Sequence, residues 1–307
     1  MKPGIFVALS TFAQQGQQPL DLLKQSGLTF TVNTTGKRLN KEELIAQGKD
    51  SEGIVAGLEP YDQEVFSALP RLKCISRCGV GVDNVDLAAA KLKNIAVLNT
   101  PDVVIQPVAE LTVALIFDLL RRLSAHTALM RRHQWERLTG VQMAGRKIGI
   151  VGLGRIGRRV AQILNRLDAD VYGYDLNPDP LWAQQNNVAM IGFHDLLSTC
   201  DVVTLHLSIT PGFPFCLGEE ELMRMKKGAI LINVARGSLV DETALVTALQ
   251  SGHLAGAGLD VYSQEPYSGP LCDFPNVVLT PHVATLTQES RLQMEIECVK
   301  NIVRFFK

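Results

Sequence analysis

Three reactive side chains each follow an apolar, strand-like run in the second half of the chain. Arg236 follows the run AILIN, Glu265 follows AGAGL and His282 follows NVVLT. Ligands of open α/β sheets bind beyond the carboxyl ends of the strands, so we predict that these groups share one rim. A guanidinium, a carboxylate and an imidazole on one rim can bind a small acid, polarise its carbonyl group and transfer a proton.

Each of these residues also has an ordinary structural interpretation. Arg236 could be a surface ion-pair partner, Glu265 a loop acid before proline, and His282 a structural histidine. His206, which ends the run DVVTLH, could line a cofactor site, but we favour a structural role for it. The catalytic interpretation therefore depends on what else the chain carries beside the three rim residues.

A glycine-rich turn opens the second half of the chain. The stretch KIGIVGLGRIGRRV runs from an apolar strand into Gly152-x-Gly154-x-x-Gly157 and then into an amphipathic helix. Gly152 permits the tight turn, Gly154 lets a pyrophosphate approach, and Gly157 packs helix on strand. The helix start at Arg155 and Ile156 offers amide groups and partial positive charge to the phosphates. In this context the motif predicts a dinucleotide-binding Rossmann domain.

The carboxylate of Asp175 predicts which dinucleotide binds. Asp175 ends the next strand-like run, 18 positions after Gly157, which is near the expected spacing of about 20. A carboxylate there accepts hydrogen bonds from the adenosine ribose hydroxyls and repels a 2′-phosphate. At ~4 Å and an effective dielectric constant of ~20, each pair of unit charges costs about 4 kcal/mol before screening. We therefore predict NAD rather than NADP as the cofactor.

Strand-like and helix-like segments alternate along the chain, which indicates parallel sheets with helices on both faces. A break at Asn99-Thr100-Pro101 and the length of 307 residues predict two domains. We predict an α/β fold in which a doubly wound Rossmann cofactor domain is inserted in a smaller flavodoxin-like substrate domain. The predicted bounds are 1–99 for the first part of the substrate domain, 100–285 for the cofactor domain, and 286–307 for a helix that returns to the substrate domain.

Bulk composition argues against several classes of protein. The net charge of −1 favours neither nucleic acid nor an anionic membrane surface. The N-terminal apolar run is too short for a signal peptide, and the most apolar helix carries two acidic residues. The six cysteines show no CxxC pair and no metal-ligand spacing. We expect a cytoplasmic protein with free thiols and without a metal site.

Several motifs resemble those of the D-2-hydroxyacid dehydrogenases: VGLGRIG, NVARGSLVDE, GLDVYSQEP and TPHVAT. The stretch CGVGVDNVDLAAA at 78–90 makes the short-form D-3-phosphoglycerate dehydrogenase branch the most similar. The resemblance covers roughly 53–295, with the motifs in the family's order. It implies an NAD-dependent oxidoreductase that transfers a hydride between NAD(H) and C2 of a small 2-hydroxy or 2-keto acid.

The resemblance also implies roles for individual residues. His282 resembles the catalytic acid/base, Glu265 its carboxylate partner, and Arg236 the arginine that binds the substrate carboxylate and C2 oxygen. An adjacent carboxylate stabilises an imidazolium, which would keep the histidine protonated for reduction. Beyond the glycine turn and Asp175, the expected cofactor-binding residues are Val234, Ala235, Asp260, His282 and Ala284.

The substrate loop of the other domain is assigned in the same way. The backbone at Val80 and Gly81 resembles the loop that receives the substrate carboxylate. Arg77, just before it, is a candidate for binding a substrate phosphate, and it could equally brace the loop. After His206 the stretch HLSITPGFPFCLG has Ser208 where the family usually has proline, followed by Phe213-Pro214-Phe215. We therefore expect a reshaped loop beside the cofactor.

The identity of the acid stays open at this point. The best prediction is D-3-phosphoglycerate with 3-phosphohydroxypyruvate, and the alternative within the enzyme class is a glyoxylate or hydroxypyruvate reductase. An alternative from another class is an NAD(H)-sensing interaction protein, such as the transcriptional corepressors that share this fold. The resemblance further implies a homodimer formed through the cofactor domain and its long helices at 107–132.

Overall fold

The computed structural model describes residues 4–208 and 215–307, and the chain divides into two α/β units. The first unit comprises the residues up to Val104 together with Thr285–Lys307, and the second comprises Ile105–Ala284. Every strand pairing in both units is parallel. The predicted α/β fold class is confirmed.

The first unit is a five-stranded sheet in the order β2-β1-β3-β4-β5, which is the flavodoxin-like order. Its strands are β1 Gly4–Val7, β2 Thr29–Val32, β3 Gly53–Ala56, β4 Cys74–Arg77 and β5 Ala96–Leu98. Its helices are α1 Gln18–Ser26, α2 Lys41–Gly48, α3 Gln63–Ala68, α4 Leu87–Leu92 and the last helix of the chain, α12 Gln288–Phe306.

Local sequence signals explain the helices of this unit. Helix α2 begins with a capping box, because the Asn40 side chain accepts a hydrogen bond from the Glu43 amide while the Glu43 carboxylate accepts one from the Asn40 amide. Helix α12 packs on α1, β3 and β4 through buried side chains that include Cys298, Val299 and Ile302. The C-terminal segment is therefore part of the first unit's core.

The second unit is a seven-stranded sheet in the order β12-β11-β10-β9-β6-β7-β8. Its strands are β6 Lys147–Val151, β7 Asp170–Tyr174, β8 Ala189–Met190, β9 Val202–Leu205, β10 Ala229–Asn233, β11 Leu254–Leu259 and β12 Val277–Leu279. The strand order reverses between β6 and β9, as in the Rossmann fold, and this reversal makes a crevice at the carboxyl edge. Strand β10 is buried at every position, as expected of a parallel strand covered on both faces.

Seven α-helices and two short 3₁₀ helices are seen among the described residues of the second unit. The α-helices are α5 Ile105–Arg121, α6 Leu123–Arg131, α7 Arg155–Asn165, α8 Pro180–Gln185, α9 Phe193–Thr199, α10 Glu219–Arg224 and α11 Glu242–Gln250. The 3₁₀ helices are Gly237–Leu239 and Pro270–Asp273. In the part of the chain that the structure describes, no helix is both long enough and apolar enough to cross a membrane.

The long helices expected at 107–132 are α5 and α6, separated by a single residue. Arg122, between α5 and α6, has a left-handed backbone conformation with φ of 54°, which ends the helical hydrogen-bond ladder. The Asp118 carboxylate then accepts a hydrogen bond from the Ser124 amide at the start of α6. Nothing in the apolar pattern of this stretch marks the interruption.

Candidate functional site

The carboxyl edge of the second unit's sheet carries most of the predicted site residues. The glycine turn follows β6, Asp175 follows β7, Arg236 follows β10, Asp260 follows β11 and His282 follows β12. The parallel strands bring these separate loops to one edge, beside the crevice where the strand order reverses.

The glycine turn has space for a side chain at one of its three glycines and none at the other two. Gly152 has φ of 97°, and a Cβ atom there would lie 2.7 Å from the His206 carbonyl oxygen. A Cβ on Gly157 would lie 1.9 Å from the Gly152 carbonyl oxygen, whereas a Cβ on Gly154 would meet no atom within 4 Å. Within the described residues, the amides of Gly154 and Ile156 donate no hydrogen bond. Open space beside available amides at a helix start fits a dinucleotide pyrophosphate.

Asp175 is held in place by the backbone on both of its oxygen atoms. Its Oδ2 accepts a hydrogen bond of 2.7 Å from the Leu153 amide in the glycine turn. Its Oδ1 accepts one of 2.8 Å from the Asn177 amide. An ionised carboxylate has about four acceptor positions, so capacity remains for the hydroxyls of a ribose. The carboxylate at the end of β7 therefore has acceptor positions left, which the predicted ribose contact needs.

His282 and Glu265 form a hydrogen-bonded pair. The Nδ1 atom of His282 lies 2.8 Å from Glu265 Oε2, and Glu265 Oε1 accepts a hydrogen bond of 3.2 Å from the Tyr262 amide. The side chains of the pair are 46% and 38% exposed, respectively, so a small molecule can reach the imidazole. With Nδ1 engaged by the carboxylate, Nε2 is the ring atom left for proton exchange.

The backbone of the histidine turn is held by Asp260, which is fully buried. Its Oδ1 accepts hydrogen bonds from the Thr280 hydroxyl at 2.6 Å and the Val283 amide at 2.8 Å. Its Oδ2 accepts one from the Ala284 amide at 2.9 Å. These bonds span His282, whose φ of 53° is left-handed. The sequence resemblance assigned Asp260 to cofactor binding and missed this positioning role.

Arg236 sits in a loop shaped by the buried amide side chain of Asn233. The Asn233 Oδ1 accepts a hydrogen bond from the Ala235 amide at 3.1 Å, and its Nδ2 donates one to the Arg236 carbonyl at 2.8 Å. The Arg236 guanidinium donates to the Ala235 carbonyl at 2.7 Å. A Cβ on Gly237 would lie 1.9 Å from the Tyr262 carbonyl carbon. The arginine loop therefore lies against the loop that carries Glu265.

Tyr262 is a buried member of the site that sequence reasoning missed. Its hydroxyl lies 3.1 Å from the Leu259 carbonyl and 3.0 Å from the Thr280 carbonyl, and both distances are compatible with donation. Its ring stacks on Tyr267 with centroids 4.5 Å apart. The tyrosine thus links the ends of β11 and β12, from which the aspartate and histidine turns emerge. An aromatic residue between Asp260 and Glu265 was the available signal.

His206 lies at the same edge, after β9, but cannot serve as a proton donor. Its Nε2 lies 2.9 Å from the Thr204 hydroxyl, and burial lowers the pKa of His206 to about 3. The imidazole is therefore neutral at ordinary pH. Of the unusual stretch that follows, residues 209–214, including Phe213 and Pro214, lie outside the described residues, while Phe215 packs edge-on against Phe193.

The predicted substrate loop belongs to the first unit. Gly79 has φ of 140°, and its amide donates a hydrogen bond of 2.9 Å to the Thr100 hydroxyl. Among the described residues, the amides of Val80 and Gly81 donate no hydrogen bond, which suits the reception of a carboxylate. The Arg77 guanidinium donates to the Cys78 carbonyl and occupies the space where a Gly79 side chain would begin. These two contacts brace the loop.

Comparison with known proteins identifies the family to which this chain belongs. Residues 113–284 match the family model described as "D-isomer specific 2-hydroxyacid dehydrogenase, NAD binding domain". The chain belongs to the D-2-hydroxyacid dehydrogenase family. The members of this family are NAD-dependent oxidoreductases acting on CH–OH groups. The prediction of NAD as the cofactor is confirmed.

Similar D-2-hydroxyacid dehydrogenases are named after two different substrates. A glyoxylate reductase of Thermofilum pendens is 39% identical over 87% of this chain and 82% of its own length. A D-3-phosphoglycerate dehydrogenase of Archaeoglobus fulgidus is 36% identical over 95% of this chain and 56% of its own length. This chain thus spans only about half of the phosphoglycerate dehydrogenases it matches. A solved protein of Thermus thermophilus is 37% identical with a TM-score of 0.89, over 97% of this chain and 95% of the other.

Proposed function

We propose that this protein interconverts a D-2-hydroxy acid and the corresponding 2-keto acid with NAD(H), and that His282, Glu265 and Arg236 are its catalytic residues. The 2.8 Å contact between His282 Nδ1 and Glu265 Oε2 carries this proposal. The pair stands at the sheet edge that also bears the glycine turn and Asp175. An imidazole oriented by a carboxylate beside a dinucleotide site is suited to proton transfer coupled to redox chemistry.

In the direction of reduction, the bound cofactor supplies the hydride that reaches C2 of the acid. His282 donates a proton from Nε2 to the C2 oxygen, and Glu265 stabilises the imidazolium through Nδ1 before the transfer. Arg236 binds the carboxylate of the acid and offsets negative charge that develops on the C2 oxygen. In oxidation the same pair accepts the hydroxyl proton.

The pair is effective only if the ring is held at a fixed place, and Asp260 acts as the positioning residue. Asp260 accepts hydrogen bonds from the amides of Val283 and Ala284, which follow His282 in the chain, and so fixes the turn before substrate arrives. Such preorganisation removes the free-energy cost of ordering the turn during the reaction. Tyr262 contributes to the same end, because it joins the two strand ends that bear the aspartate and the histidine.

Two substrates have support from different observations. The motif at 78–90 and the names of several relatives support D-3-phosphoglycerate with 3-phosphohydroxypyruvate. The placement of Arg77 against its own loop favours an unphosphorylated acid such as glyoxylate or hydroxypyruvate, because a guanidinium engaged by the backbone offers less to a phosphate. The relative named glyoxylate reductase also matches over most of its length.

Rates of NADH oxidation with 3-phosphohydroxypyruvate, hydroxypyruvate and glyoxylate decide between them. A phosphate site predicts a kcat/KM for the phosphorylated acid more than about tenfold above the others, equivalent to about 1.4 kcal/mol. Arg77→Gln should erase that preference, whereas Arg71→Gln, which removes only a contact to Glu52, should keep it. Preference for the unphosphorylated acids identifies a general reductase. Tight NADH binding without turnover of these three acids would contradict both substrate proposals and would indicate either another 2-keto acid or a sensing protein.

A further inference from the structure

Arg158 binds the same residue of the glycine turn as Asp175 does. Its Nε donates a hydrogen bond of 2.9 Å to the Leu153 carbonyl, while the Leu153 amide donates to Asp175 Oδ2 at 2.7 Å. The guanidinium and the carboxylate that selects NAD are therefore anchored on one residue of the glycine turn. The two side chains thus bind the carbonyl and the amide of Leu153, so a cation and the ribose-selecting carboxylate share one attachment point in the turn.

Contacts on two sides hold this guanidinium. Its Nη2 donates to Asp179 Oδ2 at 3.0 Å, and its central carbon lies 4.7 Å from the ring centroid of Trp182. The other oxygen of Asp179 caps α8 by accepting a hydrogen bond of 3.1 Å from the Trp182 amide. That amide and, to a lesser degree, the Arg158 guanidinium hold the pKa of Asp179 below its ordinary value. Asp179 is thus an anion that occupies Arg158 at neutral pH.

We propose that Arg158 is a latent anchor for the 2′-phosphate of NADP and that Asp179 blocks it, which makes Asp179 a second determinant of selectivity for NAD. A guanidinium is the side chain best shaped to bind a phosphate group through paired hydrogen bonds. Here Nη2 of Arg158 donates to Asp179 and Nε donates to the Leu153 carbonyl. Asp175 repels a 2′-phosphate, and Asp179 withholds the cation that could compensate for that repulsion.

The two acids should therefore act together rather than independently. Replacing Asp175 alone removes the repulsion but leaves Arg158 paired with Asp179. Replacing Asp179 alone releases Arg158 but leaves the carboxylate of Asp175 where the phosphate would lie. Only the double replacement supplies both conditions, so the effects of the two changes on NADPH affinity should be strongly coupled.

A double-mutant cycle tests this coupling with binding as the readout. The variants are Asp175→Ser, Asp179→Asn and their combination, and the dissociation constants of NADH and NADPH are measured by the fluorescence of the reduced nicotinamide. Asparagine at 179 keeps the side-chain oxygen that caps α8. We expect the double variant to bind NADPH at least about tenfold more tightly than the product of the single effects predicts.

Two further changes in the double variant identify the anchor. Arg158→Gln should abolish the gain in NADPH affinity. Arg159→Gln, one residue along the helix, should preserve it, because Arg159 bonds to Gln106 and Gln162 instead. The proposal would be overturned if the NADPH affinity of the double variant equalled the product of the two single effects. It would also be overturned if the gain in NADPH affinity survived Arg158→Gln. Thermal unfolding and NADH binding check that each variant is folded, and Asp179→Ser replaces Asp179→Asn if the latter is not. Because no substrate is used, the result is independent of which acid the enzyme reduces.

Discussion

At the scale of single residues, His282 is held through both its ring and its backbone. Glu265 binds the ring at Nδ1, and the amide of His282 donates to the Thr280 carbonyl at 3.0 Å within the left-handed turn. A left-handed conformation of a residue other than glycine is uncommon and costs free energy. The bonds from Asp260 to the following amides stabilise the turn and offset that cost.

His206 should make the stability of the protein depend on pH. Its folded pKa of about 3 lies below the unfolded value of ~6.5, so between these values the unfolded chain binds more protons. Stability should then rise with pH across this window, and His206 alone should cost about 2 kcal/mol between pH 7 and pH 5.

The measurement is denaturant unfolding at pH 7, 6 and 5 for the wild type and for His206→Asn. The loss of unfolding free energy on acidification should be smaller in the variant. His194→Gln, which changes an exposed histidine, should retain the wild-type dependence. An equal pH dependence in the wild type and His206→Asn would contradict the assignment.

At the scale of elements, the packing of the glycine turn against helix α7 leads to different predictions for two glycine-to-alanine changes. A Cβ at Gly157 would overlap the Gly152 carbonyl at 1.9 Å, so the Gly157→Ala change must displace the helix from the turn. We expect a loss of about 1–3 kcal/mol in unfolding free energy, as for other overpacked sites, together with weak NADH binding.

Gly154→Ala is the control, because its Cβ meets nothing within 4 Å and its φ of −69° suits alanine. This variant should unfold like the wild type yet bind NADH more weakly, since the methyl group enters the space for the pyrophosphate. Denaturation curves and NADH titrations of both variants measure the two effects. Equal stability losses in the two variants would show that the turn is not packed as described.

The sequence predicted the strands and the order of the loops well, because apolar runs and turn residues are local signals. The packing of the last helix on β4 depends on tertiary contacts. The interruption at Arg122 falls on an arginine, a residue type that does not signal a left-handed conformation. Strand β8 has only two residues, which is too short for a hydrophobic pattern. The roles of Asp260 and Arg158 were missed because their partners are backbone groups and residues from other loops, which spacing alone does not show.

At the scale of the whole molecule, we expect a homodimer formed through α5, α6 and the segment that follows. Helix α6 has no buried residue in the single chain. Large apolar side chains nearby are well exposed, with Leu123 and Met130 at 53% and Trp135 at 76%. Large exposed apolar side chains on one surface segment mark an interaction surface, and the family resemblance implies that a second copy covers it.

Sedimentation equilibrium measures the mass of the assembly in solution and so tests the predicted homodimer. The wild type should have twice the chain mass of 33.6 kDa, and Trp135→Glu combined with Met130→Glu should shift it towards the monomer. Leu181→Glu changes another exposed apolar residue, 72% exposed in α8, and should leave the dimer intact. A wild type with the mass of one chain at micromolar concentration would rule out the dimer.

His282 is proposed to transfer the proton, so replacing it should lower kcat far more than it weakens NADH binding, to which the family resemblance also assigns this residue. The decisive experiment compares kcat and the NADH dissociation constant of the wild type and His282→Gln, with the best of the three acids as substrate. We expect a fall in kcat of about 10²–10⁴-fold, with an NADH dissociation constant raised by less than about tenfold, a loss of less than about 1.4 kcal/mol of binding free energy. Turnover by His282→Gln at the wild-type rate would show that another group supplies the proton.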